Sequence, residues 1–159
     1  MSPQTSPLAG MHVLVVENSP LSADIGRVLR HRGGVAAVEL LAHNSYARRR
    51  LSTGQVPHLV ILDYDLADGN SAELAVWMLT QPTLDQTIRV SYSGRDTDII
   101  HRDIQELLAQ QGVDMAVRFP EVFDAYITKP ALGLVDLLST IVRTSTRQPL
   151  ASADAAQLA

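Results

Sequence analysis

The chain contains no cysteine, a single lysine and few aromatic residues among its 159 positions. The absence of cysteine excludes disulfide bonds and thiolate metal sites. Phe, Trp and Tyr make up only 4% of the chain, so the core must be built from Leu, Val, Ile and Ala. The length is typical of one domain that buries a full hydrophobic core.

Long apolar runs and concentrated basic patches are absent as well. Runs such as Val13–Val16 are far shorter than the ~20 residues that a membrane-spanning helix needs. The first ten residues have neither the basic start nor the apolar stretch of a signal peptide. A net charge of −4 does not indicate the basic surface that nucleic-acid binding requires. We therefore expect a cytoplasmic protein that binds neither membrane nor nucleic acid.

The single lysine, Lys129, contrasts with the arginines that occupy every other basic position. Chance in an Arg-rich chain explains this as well as a local requirement does. The second explanation is that this position needs a compact ammonium group and not a planar guanidinium group.

Short apolar segments alternate with segments of helical spacing along the whole chain. The loop between the third strand and the next helix, 63–70, is indicated by its composition. Five strands that alternate with five helices predict an α/β fold, a doubly wound five-stranded parallel sheet with helices on both faces. The predicted strands are His12–Val16, Val35–Leu41, His58–Leu62, Ile88–Tyr92 and Ala125–Thr128.

The ends of the chain differ in composition from the part between them. Residues 1–10 are expected to form a flexible leader, and residues 148–159 are small and polar, as in a flexible tail. The sequence thus predicts one domain over residues 11–147.

Polar residues of useful chemical type follow four of the predicted strands. Glu17 and Asn18 follow the first strand, Asp63 the third, Ser93 the fourth and Lys129 the fifth. The carboxyl ends of parallel strands meet at one edge of a sheet, where ligands bind in open α/β folds. Each residue alone is explained by a helix cap, a turn or an exposed link. Their combination at one edge indicates a functional site.

Three segments, in this order and spacing, carry a resemblance to a known family. They are Val13–Asn18, Leu59–Asp63 with the following 65–69, and Tyr126–Pro130. The chain resembles the receiver domain of bacterial response regulators over about residues 11–142. The resemblance implies strand order 2-1-3-4-5. It also implies a signalling domain that accepts a phosphoryl group from a histidine kinase or phosphotransfer protein, and no enzyme activity beyond its own phosphorylation and dephosphorylation.

The resemblance also assigns roles to individual residues. Asp63 matches the phosphoacceptor, and Lys129 matches the residue that pairs with the phosphoryl oxygens. Ser93 and Tyr126 match the two switch residues, a hydroxyl that bonds the phosphoryl group and an aromatic side chain that changes orientation. Pro130 matches a position where the family has a cis peptide bond.

A divalent cation, usually Mg²⁺, is implied beside the acceptor. Its protein ligands would be Glu17, Asn18, Asp63 and the backbone carbonyl of Asp65. The family pattern has two acidic residues where this chain has Glu17 and Asn18. Losing one carboxylate should weaken Mg²⁺ binding, because hard cations favour anionic oxygen ligands.

Asp65 and Arg95 flank the expected path of attack on the phosphoryl group. Either they pair across the site and hinder water, or they are two separate solvated charges. The segment between Ser93 and Lys129 is longer than the family pattern, and we expect the extra residues, over 113–124 and the fourth helix, to modify the output surface.

Two other functions stay open at this point. The domain could be a pseudo-receiver that acts by protein binding without phosphorylation, or a small flavodoxin-like enzyme or nucleotide binder. The segment 17–20 lacks the glycine- or hydroxyl-rich loop that the latter predicts. Expected partners are a kinase or phosphotransfer protein, a downstream protein target and, as one option, a second copy of the chain.

Overall fold

The computed structural model describes residues 6–111, 122–129 and 133–145. Five strands in these ranges form the main sheet: β1 (His12–Val16), β2 (Ala37–Leu41), β3 (Leu59–Leu62), β4 (Ile88–Ser93) and β5 (Ala125–Thr128). The α-helices are α1 (Leu21–Val28), α2 (Asn44–Ser52), α3 (Ala72–Leu79), α4 (Thr97–Gln111) and α5 (Leu134–Thr144). A π-helical turn over Leu29–Gly33 extends α1, and a 3-10 turn over Pro82–Leu84 precedes β4.

The five strands are parallel and lie in the order β2-β1-β3-β4-β5. The predicted fold class and the strand order 2-1-3-4-5 are therefore confirmed. Strand β3 is buried along its whole length, as expected for a strand covered on both faces. The order reverses between β1 and β3, where the two crossover directions diverge and leave a crevice at the carboxyl edge.

Side chains of β1 alternate between two cores, which shows how the helices cover the sheet. Leu14 and Val16 pack with residues of α2, α3 and α4 on one face. Val13 and Val15 pack with residues of α1 and α5 on the other face. This alternation follows from the period of two in an extended strand.

The loop predicted over 63–70 contains a short antiparallel hairpin. Asp65 pairs with Asn70, and Leu66 pairs with Gly69. Gly69 adopts a φ of 124°, which is accessible to glycine because it lacks a Cβ atom. The hairpin therefore holds the segment that follows Asp63 in a defined conformation.

The described part of the predicted leader, residues 6–10, packs against the domain. Leu8 is fully buried in the core shared with α1 and α5. A Cβ atom on Gly33 would lie 3.3 Å from Cδ1 of Leu8, so a larger residue there would crowd this contact. Turn hydrogen bonds from Ala9 to Ser6 and from Met11 to Leu8 complete the segment. No helix among the described residues is long and apolar enough to span a membrane.

Candidate functional site

The carboxyl ends of the central strands bring the predicted site residues to one edge. Val16 and Leu62 are paired in register, so Glu17 and Asp63 emerge side by side. The backbone N–H of Asp63 donates to the carbonyl of Val16 at 2.8 Å, which fixes this arrangement. On the other side, the backbone N–H of Lys129 donates to the carbonyl of Ser93 at 2.9 Å. The parallel sheet thus assembles groups that are far apart in sequence.

Lys129 binds both carboxylates. Its Nζ atom lies 2.6 Å from Oε2 of Glu17 and 3.3 Å from Oδ2 of Asp63. Glu17 is 3% exposed and Asp63 is 7% exposed, so both charges are largely removed from water. Two carboxylates that share one ammonium group leave a net negative charge, which favours a further cation at this edge. The ammonium also lies 5.5 Å from the ring centroid of Tyr92.

The pKa of Asp63 is raised to about 6. Burial is the main cause, and a hydrogen bond and charge repulsion from Glu17 add to it, while Lys129 opposes the shift. The two carboxylates therefore compete for one ammonium. A bound cation would favour the ionised form of Asp63 because it adds positive charge beside the carboxylate.

Ser93 occupies the end of β4 and is 2% exposed. Its Oγ atom accepts a hydrogen bond of 3.1 Å from the backbone N–H of Arg95. A serine hydroxyl can accept this bond and still donate its own proton elsewhere. Ser93 is thus able to donate to a ligand at the edge without releasing the loop that follows it.

The oxygen atoms at this edge suit a hard cation, although they carry less charge than the family pattern. Asn18 is exposed at the end of β1 and supplies a neutral amide oxygen. Oε1 of Glu17 accepts the backbone N–H of Ser19 at 3.3 Å, while Oε2 is held by Lys129. Within residues 6–111, 122–129 and 133–145, no cluster of three or more His, Cys, Asp or Glu side chains is placed to hold a metal. Two carboxylates and neutral oxygens fit Mg²⁺ if the cation displaces Lys129 from Glu17.

Arg95 and Asp65, which lie two residues after Ser93 and Asp63 respectively, form an ion pair. Nη2 of Arg95 lies 2.8 Å from Oδ1 of Asp65, and Nε lies 3.3 Å from Oδ2. Of the two arrangements that the sequence leaves open, the structure shows the paired one. The pair is about half exposed, so it contributes little to stability.

The second predicted switch residue, Tyr126, is half-buried on β5. Its ring makes edge-on contacts with the rings of His101, at 4.4 Å between centroids, and Phe123, at 5.2 Å. His101 belongs to α4, so Tyr126 is in contact with that helix. Pro130 lies outside the described residues, and so does most of the long segment before β5.

Two further residues, Tyr64 and Asp103, were not singled out from the sequence. Tyr64 follows Asp63 directly and is 5% exposed, and its hydroxyl donates a hydrogen bond to Oδ2 of Asp103 on α4. Burial and the neighbouring Asp103 raise the pKa of the Tyr64 hydroxyl above its ordinary value. The only sequence signal for Tyr64 is its position directly after Asp63. Asp103 has none, because its contact with Tyr64 depends on how α4 packs against the sheet.

Comparison with known proteins identifies the fold. Neither a protein-family model nor a curated protein matches the sequence. Three solved structures are similar over most of the chain, as follows. The receiver domain of a sensor histidine kinase from Pseudomonas aeruginosa PAO1, with a magnesium ion coordinated in its active-site cleft, has a TM-score of 0.62 and 16% identity, covering 85% of this chain and 97% of that one. A CheY-like response regulator receiver domain from Methylobacillus flagellatus has a TM-score of 0.61 and 21% identity, covering 84% and 99%. The receiver domain of a signal transduction histidine kinase from Syntrophus aciditrophicus has a TM-score of 0.60 and 24% identity, covering 84% and 89%.

Proposed function

We propose that the chain is a receiver domain of a two-component system, in which Asp63 accepts a phosphoryl group from a histidine kinase or phosphotransfer protein. The observation that carries the proposal is the contact of one ammonium, Lys129, with two buried carboxylates at the carboxyl edge of a receiver fold. The domain would act in the cytoplasm as a signalling module and catalyse only reactions of its own phosphoryl group.

The proposed reaction is a direct phosphoryl transfer. An Oδ atom of Asp63 attacks the phosphorus of a phosphohistidine, a P–O bond forms, and the P–N bond breaks as the imidazole of the donor leaves with its electron pair. Such transfers depend mainly on positioning and on neutralising the charge of the phosphoryl oxygens. Lys129 lies 3.3 Å from the acceptor carboxylate, so its ammonium can pair with those oxygens.

Mg²⁺ would be held by Glu17, Asn18, Asp63 and the backbone carbonyl of Asp65. When bound, it supplies positive charge that offsets the charge of the phosphoryl group. Since Lys129 holds Glu17 at 2.6 Å, we expect the ammonium to shift towards the acceptor when the cation takes its place. The neutral amide of Asn18 should keep the affinity lower than that of a three-carboxylate site.

Ser93 and Arg95 would respond to the phosphoryl group from the loop after β4. The hydroxyl of Ser93 is buried at the edge and can donate to a phosphoryl oxygen. The ion pair of Arg95 with Asp65, two residues after the acceptor, would cover the acceptor side and slow the approach of water. Ser93 and Tyr126 would be the switch residues, and a downstream protein or a second copy of the chain would bind the surface that changes.

A specific observation favours a second candidate, a pseudo-receiver that acts by binding alone. Asn18 removes one carboxylate, and both oxygens of Glu17 already have partners in Lys129 and Ser19. A site that binds its own lysine firmly could do without a metal. The flavodoxin-like alternative has less support. The segment that follows β1 begins with the charged Glu17 and is not a glycine-rich loop.

Treatment with acetyl phosphate and Mg²⁺, followed by intact mass measurement, distinguishes the candidates. We expect the wild-type chain to gain one phosphoryl group that hydroxylamine removes, as it does from an acyl phosphate. Asp63→Asn should gain none, while the control Asp24→Asn, an exposed carboxylate on α1, should behave as wild type. A wild-type chain that gains no mass, while a phosphorylatable receiver in the same buffer does, would favour the pseudo-receiver.

A further inference from the structure

The residue after the acceptor, Tyr64, joins the acceptor segment to α4. Its ring is buried, and its hydroxyl donates to Oδ2 of Asp103. Strand β3 ends at Leu62, so Tyr64 lies on the segment that also carries Asp63. A change at Asp63 can therefore reach α4 through the peptide bond to Tyr64 and the hydrogen bond from Tyr64 to Asp103.

The hydrogen bond from the Tyr64 hydroxyl to the Asp103 carboxylate is expected to be strong at neutral pH. A tyrosine hydroxyl has an ordinary pKa of about 10, so at neutral pH it is protonated and donates to the carboxylate of Asp103. A hydroxyl that donates to a carboxylate forms a stronger bond than one between neutral groups. The contact is therefore suited to hold α4 in one position.

A second contact connects Tyr64 to the loop after β4. The guanidinium of Arg95 lies 5.7 Å from the centroid of the Tyr64 ring, within the range of a cation–π interaction. The same guanidinium binds Asp65, and the backbone N–H of Arg95 donates to Oγ of Ser93. One arginine thus touches both residues that follow the acceptor and is tied to the serine beside it.

We propose that Tyr64 transmits the charge state of Asp63 to α4. The inference rests on the proposed function, because phosphorylation is the event that would change this charge. Added negative charge at Asp63 attracts the hydroxyl of Ser93, which ends β4, and Arg95, which lies on the loop that leads into α4. When Arg95 moves away from the Tyr64 ring, the ring is free to shift. The hydrogen bond from Tyr64 to Asp103 is then kept only if α4 shifts together with the ring. Tyr64 is thus a positioning residue that acts through α4 and does not touch the reacting atoms.

The contact of Tyr126 with α4 does not replace this connection. Tyr126 reaches α4 from β5 through the ring of His101, while Tyr64 reaches it from the acceptor segment through Asp103. The two aromatic side chains touch the helix at different residues. Substitution of Tyr64 should therefore affect α4 even when Tyr126 is intact.

Hydrogen exchange of α4, residues 97–111, tests the contact itself. Tyr64→Phe keeps the ring and removes the hydroxyl, so the α4 amides should exchange on the order of tenfold faster than in wild type. Tyr46→Phe is the matched control, since Tyr46 is 50% exposed on α2. Asp103→Ala should have the same effect as Tyr64→Phe, and Glu106→Ala, also on α4, should not. Equal α4 exchange in wild type and Tyr64→Phe would overturn the inference.

A double-substitution cycle tests the transmission without any phosphoryl donor. At about pH 8, where an aspartate is ionised, Asp63→Asn removes the acceptor charge and should change α4 exchange in the wild-type background. The same substitution in the Tyr64→Phe background should change it little. An equal change in both backgrounds would show that the signal reaches α4 by another route and would overturn the inference.

A third arm separates this inference from the proposed function. Acetyl phosphate is added to wild type and to Tyr64→Phe, and intact mass and α4 exchange are measured on the same samples. Absence of mass gain in wild type counts against phosphorylation alone, since the cycle above still decides on Tyr64. Mass gain in both proteins, with an α4 response only in wild type, supports both proposals. Mass gain with the same α4 response in both overturns the role of Tyr64.

Discussion

Lys129 lies closer to Glu17 than to the proposed acceptor, with its Nζ atom 2.6 Å from Oε2 of Glu17. The same atom is 3.3 Å from Oδ2 of Asp63. The ammonium of Lys129 therefore pairs with the carboxylate of Glu17, which a divalent cation would need as a ligand. Lysine and cation compete for Glu17, and the outcome sets how readily the site binds metal.

Lys129→Met should increase the affinity for Mg²⁺, on the order of tenfold, because it removes both a competitor for Glu17 and a repulsive charge. The same variant should be phosphorylated more slowly, since the ammonium that pairs with the phosphoryl oxygens is lost. Isothermal titration with Mg²⁺ measures the first effect. Arg27→Met is the control for net charge, because Arg27 is exposed and pairs with Asp24 on α1. Unchanged Mg²⁺ affinity in Lys129→Met would show that the lysine does not compete.

Arg95→Ala should speed the loss of the phosphoryl group several-fold, because the ion pair with Asp65 no longer covers the acceptor. The pair is about half exposed and contributes little to stability, so the free energy of unfolding should hardly change. Decay of the phosphorylated mass with time measures the rate. Arg102→Ala, an exposed residue of α4, is the matched control. If both variants lose the phosphoryl group at the wild-type rate, the ion pair does not restrict water.

Leu8→Ala should lower the free energy of unfolding by about 2–4 kcal/mol, as expected for a fully buried leucine. The reason is that Leu8 fills the core beneath Gly33, so its loss leaves a cavity. Chemical denaturation provides the measurement, and Leu21→Ala, at a position 44% exposed, provides the control. A Leu8→Ala loss no larger than that of Leu21→Ala would mean that residues 6–10 contribute nothing to the domain.

His58→Asn should reduce the loss of stability between about pH 7.5 and pH 5.5. Nδ1 of His58 accepts the backbone N–H of His12 at 2.9 Å. Burial, and then the charge of His12, lower the pKa of His58 below its ordinary value of 6.5. As the pH falls below 6.5 the unfolded chain takes up the proton first, so the stabilisation present above this pH is lost.

Asparagine can accept the same hydrogen bond through Oδ1 and does not titrate, which makes His58→Asn a clean substitution. The free energy of unfolding is measured at both pH values by denaturant titration. His31→Asn, an exposed residue in the π-helical turn, is the control. Parallel pH profiles for wild type and His58→Asn would contradict the prediction.

Alternation of strand and helix patterns predicted the doubly wound sheet, and the structure confirms it with two fully matching strands, β1 and β5. Burial makes a strand such as β1 a continuous apolar run, and this pattern is local. Strand ends were harder to predict, since β2 begins at Ala37 and not at Val35. Pairing with a neighbouring strand decides where a strand starts, and that neighbour is distant in the chain.

The sequence by itself determined the class of fold and the residues at its carboxyl edge, because hydrophobic period and strand-end chemistry are properties of short segments. Only the tertiary structure decided which charges meet. It paired Lys129 with Glu17, Arg95 with Asp65 and Tyr64 with Asp103, and it buried Leu8 in the core. The three pairs join residues between 30 and 112 positions apart, according to their sequence numbers, and Leu8 lies 25 positions before Gly33. Such distances are set by sheet register and helix packing, which no local pattern specifies.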